Sequence, residues 1–412
     1  MNLFIFNENR RGTVFGIGTY IRELTLALKD SDIHISVVNL LSDQPQIHIE
    51  EKDGILYWHI PEPVSEYWSV DNKEQRMLYF SNLVYLLQLQ IKDQTDLVFH
   101  LNYHRNNTFA DRLRETFDCK IVSVAHFSDW GFSVFDNPQH LRNILNEEKL
   151  DSFSANVKSL FEDEKEDYMK VDHLIVLSDY MREIICRDYN FTPQKVSVIP
   201  NGLSDVADTL TNPILLRKKW NIGLEEKIIL FAGRVDEIKG INFLIKAFHK
   251  VMKVHSNSRL VIAGNGNYNK IFQETKSICT KVIFTGLLEK KDLYEMYRIA
   301  DVGVVPSLFE PFGYVPVEMM MHELPIVATA TSGLNEVVDE SCGLKVPLIV
   351  SPDNVEIDTS LLAQKIIYLL QNPKEAKRLG KNGRKRYLEK YSSEVFGKNM
   401  IAFYKSLFQE CK

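Results

Sequence analysis

The chain has 412 residues, 45% of them hydrophobic and 25% charged. That balance suits folded domains with buried cores and excludes a disordered or collagen-like chain. Lys and Arg number 49 against 55 Asp and Glu, a net charge of −6, which gives no footing for non-specific nucleic-acid binding. At ~100–200 residues per domain the length suggests two or three domains. The five cysteines, at 119, 186, 279, 342 and 411, lie far apart. With no Cys-x-x-Cys there is neither a zinc knuckle nor a redox dithiol, and the expectation is a reduced, intracellular protein. The opening MNLFIFNENRRG has too short an apolar run for a signal peptide, and no stretch approaches ~18 apolar residues, so neither a leader nor a membrane span is expected. The Asn-x-Thr at Asn106 reads as a chance sequon in such a chain.

Short apolar runs alternate with amphipathic stretches along the sequence. LFIF (3–6) predicts a buried strand, and TYIRELTLALKD places Ile21, Leu24 and Leu28 at helical spacing. HISVVNL, LVFHL, KIVSVAHF, HLIVLS and KVSVIPN follow, each rich in Val and Ile and each ending near a polar residue or a turn. That pattern predicts a parallel sheet flanked by helices. The rhythm restarts after residue 203 with KIILFAGR, the helix INFLIKAFHKVMK, and the strands RLVIAGNG, KVIFTG, DVGVVPS and PIVAT. The polar, proline-ended LSDVADTLTNP (203–213) is the predicted linker. Two doubly wound α/β domains in series are the simplest account. FEDEKEDYMK (161–170) reads as a charge-mixed solvated helix. Residues 374–398, with nine basic and three acidic side chains, read as a solvated helix face. Residues 42–95, with Trp58, Tyr67, Trp68 and Tyr79 among prolines and charges, suit an acceptor pocket, a lid or core packing equally well.

Four constellations carry candidate chemistry. In FGIGTY, Gly16 and Gly18 sit between the first strand and its helix, where a backbone without Cβ atoms and a helix start accept a diphosphate or a sugar hydroxyl. Taken alone this is equally a tight turn, and it is not the dinucleotide fingerprint, because Ile21 stands where the third glycine belongs. In FAGRVDEIKG, Arg234 leaves a strand and Lys239 precedes a helix. Two cations at the carboxyl edge of a strand suit a diphosphate, Arg as a bidentate donor and Lys as a compact charge. SLFEPFGYVPVEMM is the strongest. Glu310 lies in a Pro- and Gly-containing loop, Gly313 permits close backbone contact, Pro316 fits a first helical turn, and Glu318 is expected near that helix's start. The loop amides from Phe312 through Gly313 and Tyr314 to Val315 suit sugar hydroxyls or a phosphate, and a carboxylate at 318 can accept both hydroxyls of a ribose. Finally, SVAHFSDW puts His126 at a strand end, with Asp129 nearby. A lone histidine there is more often structural, but it shares an edge with the glycine loop.

Taken together, FGIGTYIREL, LIVLSDYMREII, VIPNG, FAGRVDEIKG, VIAGNGN, FTGLLEKKDLYEMYRIADVGVVPS, EPFGYVPVEMM and TSGLNEVV resemble a family 4 glycosyltransferase of the GT-B architecture, in the family's order and over almost the whole chain. The resemblance implies two Rossmann-like domains facing across a cleft. Residues 1–205 would bind the acceptor, residues 206–385 the nucleotide sugar, and 386–412 would form a C-terminal helix crossing back onto the first domain. It implies that Arg234 and Lys239 hold the diphosphate, Glu310 meets the transferred sugar, and Phe312, Gly313 and Tyr314 present backbone amides. Glu318 would hold the ribose, Gly16 and Gly18 would approach the phosphates, and His126 would contact the sugar. Two departures stand out: Ser332-Gly333 where relatives often carry Gly-Gly, and two residues between His126 and Asp129 where relatives place the pair together.

The implied reaction is transfer of a hexose-type sugar from a UDP- or GDP-sugar to an acceptor hydroxyl, with retention and without a metal or other cofactor. The acceptor would be a carbohydrate, a lipid-linked glycan or a peptide. The expected location is the cytoplasm, with at most peripheral contact at the inner membrane face. A metal-dependent transferase fits poorly, since Asp30-Ser31-Asp32 follows a predicted helix and not a strand. A nucleotide-sugar epimerase, a phosphorylase and a catalytically silent scaffold remain the competing readings.

Overall fold

The computed structural model of the chain describes residues 1–8, 16–63, 69, 72–103, 107–135, 137–207, 212–352 and 354–409. Tyr67, Trp68, Asn106, Cys411 and the middle of the 203–213 linker lie outside the described residues. The chain divides into two compact units, each built on one sheet.

The first unit comprises Met1–Asp129, Lys149–Gly202 and Ser393–Lys412. Its elements in chain order are β1 (Asn2–Glu8), α1 (Gly16–Leu28), β2 (His34–Ser42), β3 (His48–Lys52), β4 (Ile55–Pro61), α2 (Lys73–Gln90), β5 (Leu97–Leu101), α3 (Asn107–Thr116) and β6 (Lys120–Ala125). After α4 (Asp129–Ser133) and α5 (Pro138–Asn146), which group with the second unit from Trp130 onward, come α6 (Ser152–Met169), β7 (His173–Val176), α7 (Asp179–Arg187) and β8 (Val196–Val198). The sheet order is β3-β4-β2-β1-β5-β6-β7-β8. It is parallel except for β3, which pairs antiparallel with β4. Strand β1 pairs with β2 on one side, Asn7 opposite Asn39, and with β5 on the other, Asn2 opposite Leu97. The connection therefore reverses direction between β1 and β5, and the crevice past their carboxyl ends is where open α/β sheets bind ligands. Continuous apolar runs suit strands covered on both faces: Leu3, Ile5, Leu97, Val98 and Phe99 are buried.

The second unit comprises Trp130–Glu148 and Leu203–Ser392. It runs α8 (Pro213–Lys219), β9 (Lys227–Ala232), α9 (Ile241–Val254), β10 (Ser258–Ala263), α10 (Asn269–Thr275), β11 (Val282–Gly286), α11 (Lys290–Ile299), β12 (Val302–Val305), α12 (Tyr314–Met321), β13 (Ile326–Ala330) and α13 (Leu334–Val337). It closes with β14 (Gly343–Ser351), β15 (Asn354–Ile357), α14 (Thr359–Gln371) and α15 (Pro373–Arg386). The order β11-β10-β9-β12-β13-β14-β15 reverses between β9 and β12. The core between sheet and helices holds Ile229, Phe231, Leu244, Phe248, Val304 and Ile366 among others.

These divisions differ from the sequence reading in two places. Residues Trp130–Glu148, placed with the first domain on sequence, group with the second. The Phe132 ring packs edge-on against Phe309 at 5.2 Å, Phe135 joins the second core, and the Asn137 amide donates to the Ser351 carbonyl at 3.0 Å. The C-terminal return begins at Ser393 rather than 386. Arg384 pairs with Asp205, and the Tyr387 hydroxyl donates to the Leu203 carbonyl at 2.8 Å, which keeps the preceding turns with the second unit. The last helix, α16 (Ser393–Ser406), packs on α1, where a Cβ at Gly397 would stand 3.0 Å from the Ala27 carbonyl. Within 42–95, Trp58 is core: its ring meets Phe4 edge-on at 6.2 Å. No helix among the described residues is long and apolar enough to cross a membrane.

Candidate active site

The second sheet's reversal point gathers most of the predicted residues. Strand β9 ends at Ala232, and Arg234 and Lys239 follow it; β12 ends at Val305, and Ser307 and Glu310 follow it. Asp236 organises the first loop. Its carboxylate accepts the Lys239 amide at 3.0 Å, capping a single tight turn, and accepts the Arg234 guanidinium at 3.1 Å. That turn stops at Gly240, whose φ of +66° lies in the left-handed region. A Cβ there would stand 1.8 Å from the Pro306 carbonyl oxygen, so the end of the β9 loop presses directly on the end of β12. This close approach delivers Lys239 to Glu310: its Nζ lies 2.5 Å from Oε2. Both side chains are mostly buried, 20% and 16% exposed, while Arg234 is 47% exposed. The Ser307 hydroxyl reaches the same Glu310 oxygen at 3.5 Å.

The loop from Glu310 runs into α12 through Gly313, which has φ +95°. A Cβ there would sit 3.1 Å from the Glu310 Cγ, so only glycine lets the loop fold this tightly on Glu310. Phe312 and Gly313 are buried, Tyr314 and Val315 half-buried at the first turn, with Pro316 in that turn as expected. The adjacent loop seals the other side. The Leu334 amide donates to the Glu310 carbonyl at 3.1 Å, and Thr331 Oγ1 donates to the Leu308 carbonyl at 2.8 Å. Ser332 takes φ +40° there, a left-handed conformation that glycine would adopt without the strain a Cβ brings.

Glu318 is the fifth residue of the eight in α12, deeper than its expected place at the helix start. Its side chain is 1% exposed. Lys290 donates to one carboxylate oxygen, and the Tyr297 hydroxyl donates to the other at 2.9 Å. Burial, and next the adjacent carboxylate, push the Tyr297 hydroxyl well above its ordinary pKa, which keeps it a donor. Lys290, by contrast, is 49% exposed and is the solvent-facing partner of the pair. Neither Lys290 nor Tyr297 was singled out on sequence. Their signal was their spacing on α11, seven apart, which puts them on one helix face starting at the carboxyl end of β11.

The first unit positions its own candidates at its reversal point. Gly16 and Gly18 open α1, with Gly16 exposed and Gly18 half-buried. His126 follows β6. Its Nε2 lies 2.9 Å from Asn102 Oδ1, and the Asn102 amide donates to the Phe6 carbonyl of β1 at 3.1 Å. The Tyr20 ring from α1 meets the His126 ring edge-on at 4.8 Å. Behind it, His100 Nε2 sits 3.4 Å from the Tyr20 hydroxyl and His100 Nδ1 sits 2.8 Å from the Tyr404 hydroxyl. Burial drives the His100 pKa down to about 3, so it is neutral. Asp129 starts α4, and its backbone amide donates to the buried carboxylate of Glu164, which also accepts the Tyr189 hydroxyl. Two acids of the supposedly solvated 161–170 helix are thus buried. Asp167 is the second, and it accepts the Asn107 amide at 2.9 Å. The Asp30-Ser31-Asp32 segment lies past α1, where Asp32 pairs with Lys405 at 3.3 Å.

The family model described as Glycosyltransferase Family 4 matches residues 14–205, and that described as Glycosyl transferases group 1 matches residues 214–386. An uncharacterized glycosyltransferase of Methanocaldococcus jannaschii is 31% identical over 239 residues, 56% of this chain and 59% of that protein. The chain therefore spans less than two thirds of that relative's length. Among solved structures, sucrose-phosphate synthase from Thermosynechococcus elongatus superposes with a TM-score of 0.78 at 22% identity over 99% of each chain. Anabaena HepE in complex with UDP and glucose superposes with a TM-score of 0.71 at 14% identity, covering 98% of this chain and 99% of that one.

Proposed function

The chain belongs to glycosyltransferase family 4, and from that premise we propose that it transfers a hexose-type sugar from a nucleoside-diphosphate sugar to an acceptor hydroxyl, with retention of configuration. The observation that carries this reading is the cation set at the second sheet's reversal point: Lys239 held on Glu310 and Arg234 held on Asp236, at one loop edge. The fold shared with a protein crystallised with UDP and glucose supports it.

The chemistry follows from charge. As the bond between the anomeric carbon and the phosphate oxygen breaks, negative charge gathers on the departing diphosphate. A fixed ammonium, a guanidinium and backbone amides aimed there lower the barrier, because they are oriented before the charge appears. The acceptor hydroxyl attacks from the face the diphosphate leaves, forming the new carbon–oxygen bond, and its proton goes to a leaving phosphate oxygen. Glu310, already engaged by Lys239, orients sugar hydroxyls and forms no covalent adduct. Glu318 receives the ribose hydroxyls in this reading.

The test is turnover and nucleotide binding in an Arg234→Ala, Lys239→Ala double variant that keeps the wild-type circular dichroism and still unfolds in one cooperative transition well above the assay temperature. UDP-glucose and GDP-mannose serve as donors, and excess chelator is present. The proposal expects wild-type turnover to persist in chelator and the variant to lose it. Wild-type-like turnover in the double variant removes the assignment.

A further inference from the structure

We propose that the outer face of α15 is a docking surface for an anionic lipid bilayer. The surface lies wholly on the second unit and does not depend on which sugar is moved, or on whether one is.

Helix α15 carries seven basic side chains and one acid, +6 within a chain of net −6, so the rest of the protein stands at −12. Its arginines are committed: Arg378 pairs with Glu375 at 2.7 Å, Arg384 with Asp205 and Arg386 with Asp339. Its lysines are not. Lys374, Lys377, Lys381 and Lys385 are all exposed. At the helical repeat they fall within about 80° of one another, in a straight row roughly 16 Å long. Among the described residues no carboxylate pairs with the first three, and Lys385 has only the exposed Glu389, at 3.7 Å.

Solvated helix faces elsewhere in this chain are built differently. On α16 the exposed Lys398 meets Glu394, one turn before it, at 2.7 Å, and on α7 Arg187 meets Glu183 at 3.8 Å. On α15 the same spacing sets lysine against lysine, Lys377 with Lys381 and Lys381 with Lys385, which weakens a helix. Lys374 also stands in the first turn, at the positive end of the helix dipole, where a cation is unfavourable. Folding gains nothing from this row, whereas an opposing layer of negative charge removes both costs. The buried face holds the row outward: a Cβ at Gly380 would stand 2.0 Å from the Glu323 carbonyl oxygen, and one at Gly383 would stand 3.3 Å from Met320 Cγ, so α15 is seated against the end of α12.

The chemistry favours a lipid headgroup layer over a nucleic acid or an acidic protein. Lysine is a compact charge without the fork by which arginine reads one phosphate or one carboxylate, and every arginine of this helix is already paired. A straight row on a convex helix meets a plane along its whole length. Leu388, 47% exposed, follows Lys385, and Tyr368, 45% exposed, lies on α14 within electrostatic reach of Arg378. An apolar and an amphipathic side chain beside a basic row suit the headgroup boundary. The acidic remainder of the chain is repelled by the same surface, which confines contact to this face.

Co-sedimentation of the full chain with vesicles tests the surface. Phosphatidylcholine vesicles with about 30% phosphatidylglycerol are expected to carry wild type down at about 50 mM salt and to release it at about 300 mM. Vesicles of phosphatidylcholine alone are expected not to bind it. Changing Lys374, Lys377, Lys381 and Lys385 together to Gln is expected to cost at least about a hundredfold in partitioning, since each lysine near an anionic surface is worth roughly fivefold. The wild-type circular dichroism should persist, with melting at or above the wild-type temperature. A second variant changes the net charge equally but elsewhere, taking the exposed Lys52, Lys92, Lys149 and Lys276 to Gln, and is expected to bind within about threefold of wild type. The inference is overturned if wild type ignores the anionic vesicles, if it binds the neutral ones as well, if the two variants lose binding equally, or if the α15 variant binds as wild type does. Preference for duplex DNA or polyglutamate over the vesicles at the same salt would also overturn it, by giving the row another occupant.

Discussion

Replacing Lys239 by Met separates the structural work of this side chain from its proposed chemistry. Met keeps the apolar stem and removes the charge, leaving Glu310 without its partner at 2.5 Å. The pair is neither fully exposed nor fully buried. Exposed pairs contribute ~0.2–1 kcal/mol, and breaking a buried one costs ~3–5 kcal/mol, so a loss of about 1–2 kcal/mol of stability is expected. Neutralising the orphaned acid as well, in a Lys239→Met, Glu310→Gln double variant, should recover most of that loss. Turnover is expected to behave differently. If the ammonium stabilises the departing diphosphate, Lys239→Met costs ~10²–10³-fold in kcat, the scale of one oriented donor, and the double variant does not recover it. Urea unfolding reads the first quantity and steady-state product formation the second. Lys239→Met with kcat within threefold of wild type would refute the reasoning, as would recovery of turnover by Glu310→Gln, since either would make the pair merely structural.

Three further expectations follow from the same geometry. Gly240→Ala must place a Cβ where the Pro306 carbonyl now stands, 1.8 Å away, at a φ of +66°. It should destabilise by more than ~2 kcal/mol and weaken nucleotide binding, since both the backbone strain and the shifted β9 loop act on Lys239; an unchanged melting curve would show that the loop is slack. Lys290→Met should change affinity for UDP relative to 2′-deoxy-UDP by about tenfold or more, because Lys290 is the solvent-facing partner of Glu318; an unchanged ratio would place the ribose elsewhere. His100, with its pKa lowered by burial to about 3 against 6.5 unfolded, contributes stability that is complete above pH 6.5 and lost as pH falls toward 3. The unfolded chain binds the extra proton in that window, so roughly 2 kcal/mol should vanish between pH 6.5 and 5. Urea titrations of His100→Phe should show a shallower pH dependence there, and an identical slope would refute the assignment.

The sheet strands were legible because parallel strands covered on both faces demand continuous apolar runs, and KIILFA, RLVIA and IVATA provide them. Strands β3, β4, β14 and β15 were not: β3 and β15 are edge strands pairing antiparallel with β4 and β14, and all four carry mixed, partly exposed sequence. Lys239 and Glu310 were visible one by one; their contact depends on Gly240 meeting Pro306, a close approach between segments about 66 residues apart that no local pattern records. Glu164 misled for a related reason. A charged helix reads as solvated unless the partners of its acid are known, and these, Tyr189 and the Asp129 amide, come from distant segments.

A crystal structure of the full chain with bound UDP-glucose or GDP-mannose examines the central proposal most directly. The account predicts diphosphate oxygens within hydrogen-bonding reach of both the Arg234 guanidinium and the Lys239 ammonium, past the ends of β9 and β12. A diphosphate resting away from those two side chains would contradict it.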